Sequence, residues 1–315
     1  MNEWADDVWT AASMYYLQGE TMDVIAKHLG ISRSTVSRLL KQARQTGLVR
    51  ISLAQPTGTR HGLGASLART FGVRTTIVPV KYGTTEVHRL DQVSRIAGQM
   101  LTDAIEDGTT IGIAWGTTLN AVTHHIVPKE VKGVRVLQMN GAANPSSSGI
   151  PYVGGITSRL ADAYGGDVIH FPVPAFFDNP VTRAAMWRER AVQSVLRARS
   201  ELDVVVFGVG ALQAPVPSHV YSAGYLTDGE MTELRDAGVV GDVNTVFLKA
   251  DGSFDVPFNE RATGMTPAEI RRVPRRICVV AGTAKAQGLL AALRARVATD
   301  LVVDDETARA VLDLM

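Results

Sequence analysis

The sequence has little cysteine, few aromatic residues and no excess of either charge. Its one cysteine, Cys278, sits in the apolar run Ile277-Cys278-Val279-Val280 and has no partner for an internal disulfide. That excludes a disulfide-stapled scaffold and favours a small core residue over a nucleophile. Aromatic residues make up 6% of the chain and the net charge is +1, so no uniformly basic coat is available for nucleic acid. No apolar run reaches membrane-spanning length, and the acidic N-terminus lacks the charged-then-apolar pattern of a signal peptide. A cytoplasmic protein with no membrane partner is expected. No spacing of His, Cys, Asp and Glu suits a metal: His124 and His125 are adjacent and would diverge on a helix. No Ser/His/Asp arrangement assembles either, so neither a cofactor nor a catalytic residue is expected.

What is present is concentrated first in residues 20–50. Met22, Ile25, Ala26 and Leu29 recur at the spacing of one helical stripe, and Gly30 follows where a left-handed residue would end the helix. Ser32 is a good N-cap for a second helix beginning at Arg33. Val36, Leu39, Leu40 and Ala43 form the buried stripe of that helix. Its opposite face carries Arg33, Ser34, Ser37, Arg38, Lys41 and Arg44, with Thr35 beside them. Residues 1–20 hold only acids, whereas 21–50 hold Lys27, Arg33, Arg38, Lys41, Arg44 and Arg50 against Asp23 alone. A local cation cluster of this kind is what a phosphate backbone rewards, even in a neutral chain. The pattern is a helix-turn-helix whose second helix can enter a major groove, the expected DNA contacts being Arg33, Ser34, Thr35, Ser37, Arg38 and Lys41.

The organisation follows in order. A first helix is expected over Glu3–Leu17, and Val49–Leu53 alternates like a short strand, giving a winged-helix-like domain over 1–53. Residues 54–62, rich in turn formers, read as a linker. From 63 to 315 apolar strands alternate with amphipathic helices, the mark of a doubly wound, mostly parallel α/β domain with helices on both faces. The expected strands are Thr75–Val80, Thr110–Trp115, Val134–Met139, Asp167–Val173, Leu202–Val209, Thr245–Lys249, Arg276–Ala281 and Leu301–Val303. Helices are expected over Gln92–Ile105, Thr117–Ile126, Thr182–Arg197 and Ala284–Arg296. Thr245–Lys249 and Phe254–Val256 read as a hairpin about Asp251-Gly252.

Ligands of such a sheet bind beyond the carboxyl ends of the strands. Gly116, Thr117 and Thr118 join a strand to a helix and suit an anion. Gln138, Asn140 and Gly141 place amides where a strand stops, suited to sugar hydroxyls. Asp242 can accept from hydroxyls. Lys285 begins a helix, where the dipole disfavours a cation unless an anion binds there.

The segment Ile25–Leu40 resembles the helix-turn-helix of the SorC family (SorC/DeoR type) of bacterial sugar-responsive transcriptional regulators. The likeness continues through Gly112–Leu119, Gly141, Gly208–Gly210, Gly241-Asp242-Val243, Gly282–Leu293 and Thr299-Asp300. It implies an effector domain resembling sugar-phosphate isomerases and deaminases, assembly into dimers or tetramers, and a phosphorylated sugar or polyol that alters affinity for double-stranded operator DNA. Carried over by position, Gly116, Thr117, Thr118 and Lys285 would hold the phosphate, with Gln138, Asn140 and Asp242 facing the sugar. In some members a lysine in the segment corresponding to Gln138–Gly141 forms an imine with its sugar; this chain has Asn140 there. The competing expectation is a sugar-phosphate isomerase or deaminase with an appended DNA-binding domain, which needs a positioned general base.

Overall fold

The computed structural model describes residues 3–49, 51, 62–212 and 218–315. The chain divides into two compact units, Met1–Gly58 with Val127–Lys129, and Thr59–Ile126 with Glu130–Met315. The expected strand Val49–Leu53 and linker 54–62 fall largely outside the described residues.

The first unit is built on α1 (Glu3–Tyr16), α2 (Met22–Leu29) and α3 (Arg33–Gln45). Val8, Ala11 and Ala12 of α1 meet Ile25 of α2 and Val36, Leu39, Leu40 and Ala43 of α3 in one core. Gly30 ends α2 in the left-handed conformation, φ 66°, and its amide bonds back to Ala26 O. The Ser32 hydroxyl accepts from the Thr35 amide at 3.1 Å, starting α3 one residue later. Arg33, Ser34, Ser37, Arg38 and Lys41 are then exposed on one side of α3, with Thr35 half-buried.

The second unit carries a parallel seven-stranded sheet in the order β1-β9-β8-β5-β2-β3-β4. Its strands are β1 (Arg74–Val78), β2 (Thr110–Ile113), β3 (Arg135–Gln138), β4 (Asp167–Ile169), β5 (Val204–Gly208), β8 (Arg275–Val280) and β9 (Asp300–Asp304). A separate antiparallel pair joins β6 (Val239–Val243) to β7 (Val246–Lys249). Alternation along the central strands fills two cores. Val204, Val206, Ile277, Val279 and Val302 face the helices Glu86–Asp103, Thr117–Thr123 and Ile150–Tyr164. Val205, Phe207, Cys278, Val280, Leu301 and Val303 face Leu63–Phe71, Arg190–Arg199, Ala286–Arg294 and Asp305–Asp313. Strands covered on both faces must be apolar throughout, at roughly 1.5–3 kcal/mol per large side chain buried. Among the described residues no helix is long and apolar enough to cross a membrane.

Three expectations are corrected. The hairpin uses Val239–Val243, not Phe254–Val256: it turns at Asn244 and Thr245, both left-handed at φ 54° and 62°. A turn does form at Asp251-Gly252, but the free edge of β7 is already taken. The Asn259 amide accepts from the Phe247 amide at 2.8 Å and donates to Phe247 O at 3.0 Å, as a neighbouring strand would. The helix expected over Thr182–Arg197 is two helices, Pro180–Met186 and Arg190–Arg199. Trp187 lies in the break, edge-on to Phe171 and Phe177 and under the Arg183 guanidinium. Finally, β4 stops at Ile169 rather than Val173, because the Phe171 amide donates to the Gln138 side chain at 3.2 Å instead of to a strand.

Topology fixes where a ligand can enter. From β2 the chain builds outward to β3 and β4, then returns to β5 and builds the other way through β8 and β9. The carboxyl ends of β2 and β5 are therefore the point where the strand order reverses, the usual crevice of an open α/β sheet. Beside it, Gly141 is wedged against a crossing chain: an added Cβ would lie 2.1 Å from Pro174 O and 2.4 Å from Val173 O. We expect Gly141→Ala to cost about 1–3 kcal/mol or more of stability, measured by urea unfolding.

Candidate effector site

A cleft opens over the ends of β2, β5 and β8, lined by Gly116–Thr118, Asn140, Gly208–Gly210, Asp242, Asn244, Gly282 and Lys285. Each reaches it for a local reason. β2 runs into Gly116, whose φ of 145° no side chain adopts comfortably, and the helix Thr117–Thr123 starts there without a side-chain cap. Thr117 and Thr118, the first two residues of that helix, line the cleft. The space beside the Gly116 Cα is open, so the glycine leaves room as well as allowing the turn.

β6 brings Asp242 in from the side. Its backbone exchanges bonds with Gly210, N to O at 2.9 Å and 3.2 Å, just past β5. The approach is close enough to require glycine: a Cβ on Gly210 would lie 1.8 Å from Asp242 Oδ1, and one on Gly241 2.4 Å from Gly210 O. Asp242 is buried, and burial is the main reason its carboxyl rises from 3.8 to about 6. Tyr221, the Thr245 amide and the charge of Lys285 act against that rise.

Lys285 ends a single 3₁₀ turn, Thr283–Lys285, after β8. The residue is partly open to solvent, but its amine lies deep enough that burial lowers its pKa, against the pull of Asp242, Cys278 and Glu86. The amine donates to Thr118 Oγ1 at 3.4 Å, joining the β2 and β8 loops. The loop is also anchored to the end of β9. Gly282 N donates to Asp304 Oδ2 at 3.0 Å, and Asp304 Oδ1 pairs with buried Arg89 at 2.6 Å.

Several buried polar atoms have no partner. Asn140 is 1% exposed, yet neither its Oδ1 nor its Nδ2 is bonded; Asn244 Oδ1 is in the same condition. An unpaired buried polar atom costs about 1–3 kcal/mol, so such a group at a cleft marks a place for a polar ligand. On another side stand Trp115 and His219. Trp115 stacks on Tyr225 at 5.0 Å and donates to Gly141 O at 2.8 Å, while His219 stacks on Tyr152 at 4.4 Å. Burial lowers the His219 pKa, leaving the ring neutral at pH 7.

The structure thus brings together Gly116, Thr117, Thr118, Asn140, Asp242 and Lys285. Gln138 and Gly141 stand behind the wall. The Gln138 amide is spent on Asn140 O at 2.8 Å and Phe171 N at 3.2 Å, and the Gly141 amide on Thr263 Oγ1 at 3.0 Å. Glu86, Trp115, His219 and Asn244 line the cleft without having been singled out. Asn244 was within reach, since it follows Asp242 by two residues; Glu86 opens a helix that begins six residues before the expected Gln92. Among the described residues no group of His, Cys, Asp and Glu is placed to hold a metal.

The Asp242 shift has a sign that can be measured. A carboxyl whose folded pKa is raised adds stability that is fully present below 3.8 and lost as pH rises through about 6. Asp242→Asn should remove that portion of the pH dependence. Its unfolding free energy should vary less between pH 4 and 6 than that of the parent, read from urea titrations across that range.

Known proteins resemble the chain over nearly its whole length. Residues 56–313 match a family described as "Putative sugar-binding domain", and residues 11–55 match a helix-turn-helix domain. The deoxyribonucleoside regulator of Bacillus subtilis (strain 168) is 28% identical over 304 residues, covering 96% of each chain. The uncharacterized transcriptional regulator YjhU of Escherichia coli (strain K12) is 30% identical over 314 residues, 98% of this chain and 94% of its own. A domain of a possible sugar-binding transcriptional regulator from Arthrobacter aurescens TC1 superposes with a TM-score of 0.76 at 42% identity, covering 82% of this chain and 100% of that one. The full-length sorbitol operon regulator SorC from Klebsiella pneumoniae gives a TM-score of 0.74 at 25% identity, covering 97% of both. With a DNA-binding helix pair ahead of a sugar-binding α/β domain, the chain belongs to the SorC family of sugar-responsive transcriptional regulators.

Proposed function

We propose that this regulator controls an operon of carbohydrate metabolism from the cytoplasm, with operator affinity set by a phosphorylated sugar or polyol. The observation that carries the reading is the meeting, in one cleft, of the deep Lys285 amine with buried polar atoms that lack partners. The amine, the Thr117 and Thr118 hydroxyls and the first amides of their helix suit a phosphate. Asn140, Asp242 and Asn244 suit hydroxyls, and Trp115 and His219 give an apolar wall for the carbon skeleton. The names of relatives, a deoxyribonucleoside and a sorbitol operon regulator, point to the same ligand class.

The mechanism is linkage. A ligand that favours one arrangement of a dimer or tetramer shifts the population of arrangements, and with it the spacing of paired α3 helices on a pseudo-palindromic operator. Gln138 and Gly141 act on the site only indirectly, by shaping the backbone on which Asn140 sits.

One observation favours a second reading. A carboxyl raised to about 6 beside a desolvated amine is also what general acid–base chemistry uses. Multiple turnovers of pentose or hexose phosphates would establish such an enzyme; a ligand bound unchanged supports the regulator.

Two outcomes are expected. In a thermal-shift screen of phosphorylated and free sugars the effector should stand out by mass action. Lys285→Ala or Thr117→Ala should weaken it about tenfold or more, since a hydrogen bond to a charged group is worth about 1.5–3 kcal/mol, while operator binding persists. An unchanged response in both variants would place the ligand elsewhere. Arg33→Ala or Arg38→Ala should cost roughly 1–3 kcal/mol of operator affinity wherever the arginine reads a base, measured by fluorescence anisotropy at fixed salt. Full affinity in both would refute α3 as the recognition helix.

A further inference from the structure

A second depression lies on the outer side of the loop that carries Lys285. Its apolar wall comes from Leu212, Val239, Val240, Ala286, Ala310 and Leu314, and Thr283 and Ala284 form its edge. Ala284 borders both this groove and the ligand cleft. Leu314 is 43% exposed, although it follows a helix whose Ala308 and Val311 are fully buried.

Two charged residues line the same groove, Arg235 at the end of the helix Asp228–Asp236 and Asp313 at the end of Asp305–Asp313. Both are exposed, and among the described residues neither has an ion-pair partner. Asp313 is also misplaced for its own helix. An acid in the last turn opposes the helix dipole, and that turn holds no basic residue to offset it. A cation brought from outside would resolve this.

We infer that the groove docks a second copy of this chain about a two-fold axis, with Arg235 of each copy against Asp313 of the other. The charge pattern selects this occupant. In an isologous contact one patch must complement itself, so that residue i meets j while j meets i. An apolar strip bearing one unpaired base and one unpaired acid meets that condition, whereas a strip of one sign would repel its own copy. The inference rests on the reading of the chain as an oligomeric regulator and adds the face through which the copies meet. A copy seated here touches the outer side of the Gly282–Lys285 loop, whose inner side faces the ligand.

The test is the association state of the full chain, followed by sedimentation across a concentration series. The parent should self-associate. Arg235→Glu and Asp313→Arg should each raise the dissociation constant of one association step about tenfold or more, as like charges then face each other. The double variant, with both charges exchanged, should regain association to within a few-fold of the parent. Circular dichroism melts keep misfolding apart from dissociation, and Leu314→Glu tests the apolar strip without touching either charge. Single variants that associate like the parent, or a double variant that stays apart, would overturn the assignment while leaving the regulator intact. A parent that is monomeric at every concentration would overturn the oligomeric reading as well.

Discussion

The effector domain is organised by the crossing of β6 at the end of β5, which carries Asp242 to the reversal of strand order and into the cleft that Lys285 also lines. Taking an amine or a carboxylate out of water alone is costly, and each reduces that cost for the other. The amine comes from the loop after β8, the carboxylate from a strand that belongs to no part of the main sheet. To reach Gly210, β6 must come within backbone bonding distance of the end of β5, and only glycine at 210 and 241 allows it. The same crowding extends to Gly288 in the following helix, where an added Cβ would lie 3.0 Å from Gly210 O. Glycines scattered through the sequence thus prove to be neighbours around the crossing that delivers Asp242.

How much of this was legible depends on whether the signal was local. The helix-turn-helix was, because Gly30, Ser32 and the stripe Val36, Leu39, Leu40, Ala43 each act within a few residues. The sheet was too, since strands buried on both faces leave continuous runs such as Val204–Gly208. That Gly116–Thr118 and Lys285 meet in one cleft could be expected from their places at strand ends. What could not be read was contact between distant segments. Gln138 looked like a sugar ligand because an amide at a strand end suits hydroxyls; nothing nearby shows that Phe171 will claim it. Asn259 gave no hint that it would occupy the edge of β7, so the turn at Asp251-Gly252 seemed to promise a strand that never forms.

Arg89 shows the same limit from the other direction. Within its helix it is one polar residue among several, yet it is buried against Asp304 and bonds Glu306. Asp304 in turn accepts from the amides of Gly282 and Thr307. A chain of charge-assisted bonds therefore runs from the start of the helix Glu86–Asp103 through the end of β9 to the Gly282–Lys285 loop at the cleft.

The turn at Asn244 and Thr245 carries a consequence of its own. Both residues sit where L side chains are strained, and the fold holds them there through the bonds from Thr245 N to Asp242 and from Thr245 Oγ1 to Asn244 O. One lip of the cleft is therefore preorganised. A ligand that reaches Asn244 need not order this segment, so its affinity is not diminished by that entropy. Selectivity at this lip then follows from stereochemical fit, from which hydroxyls point where the fixed amide can meet them.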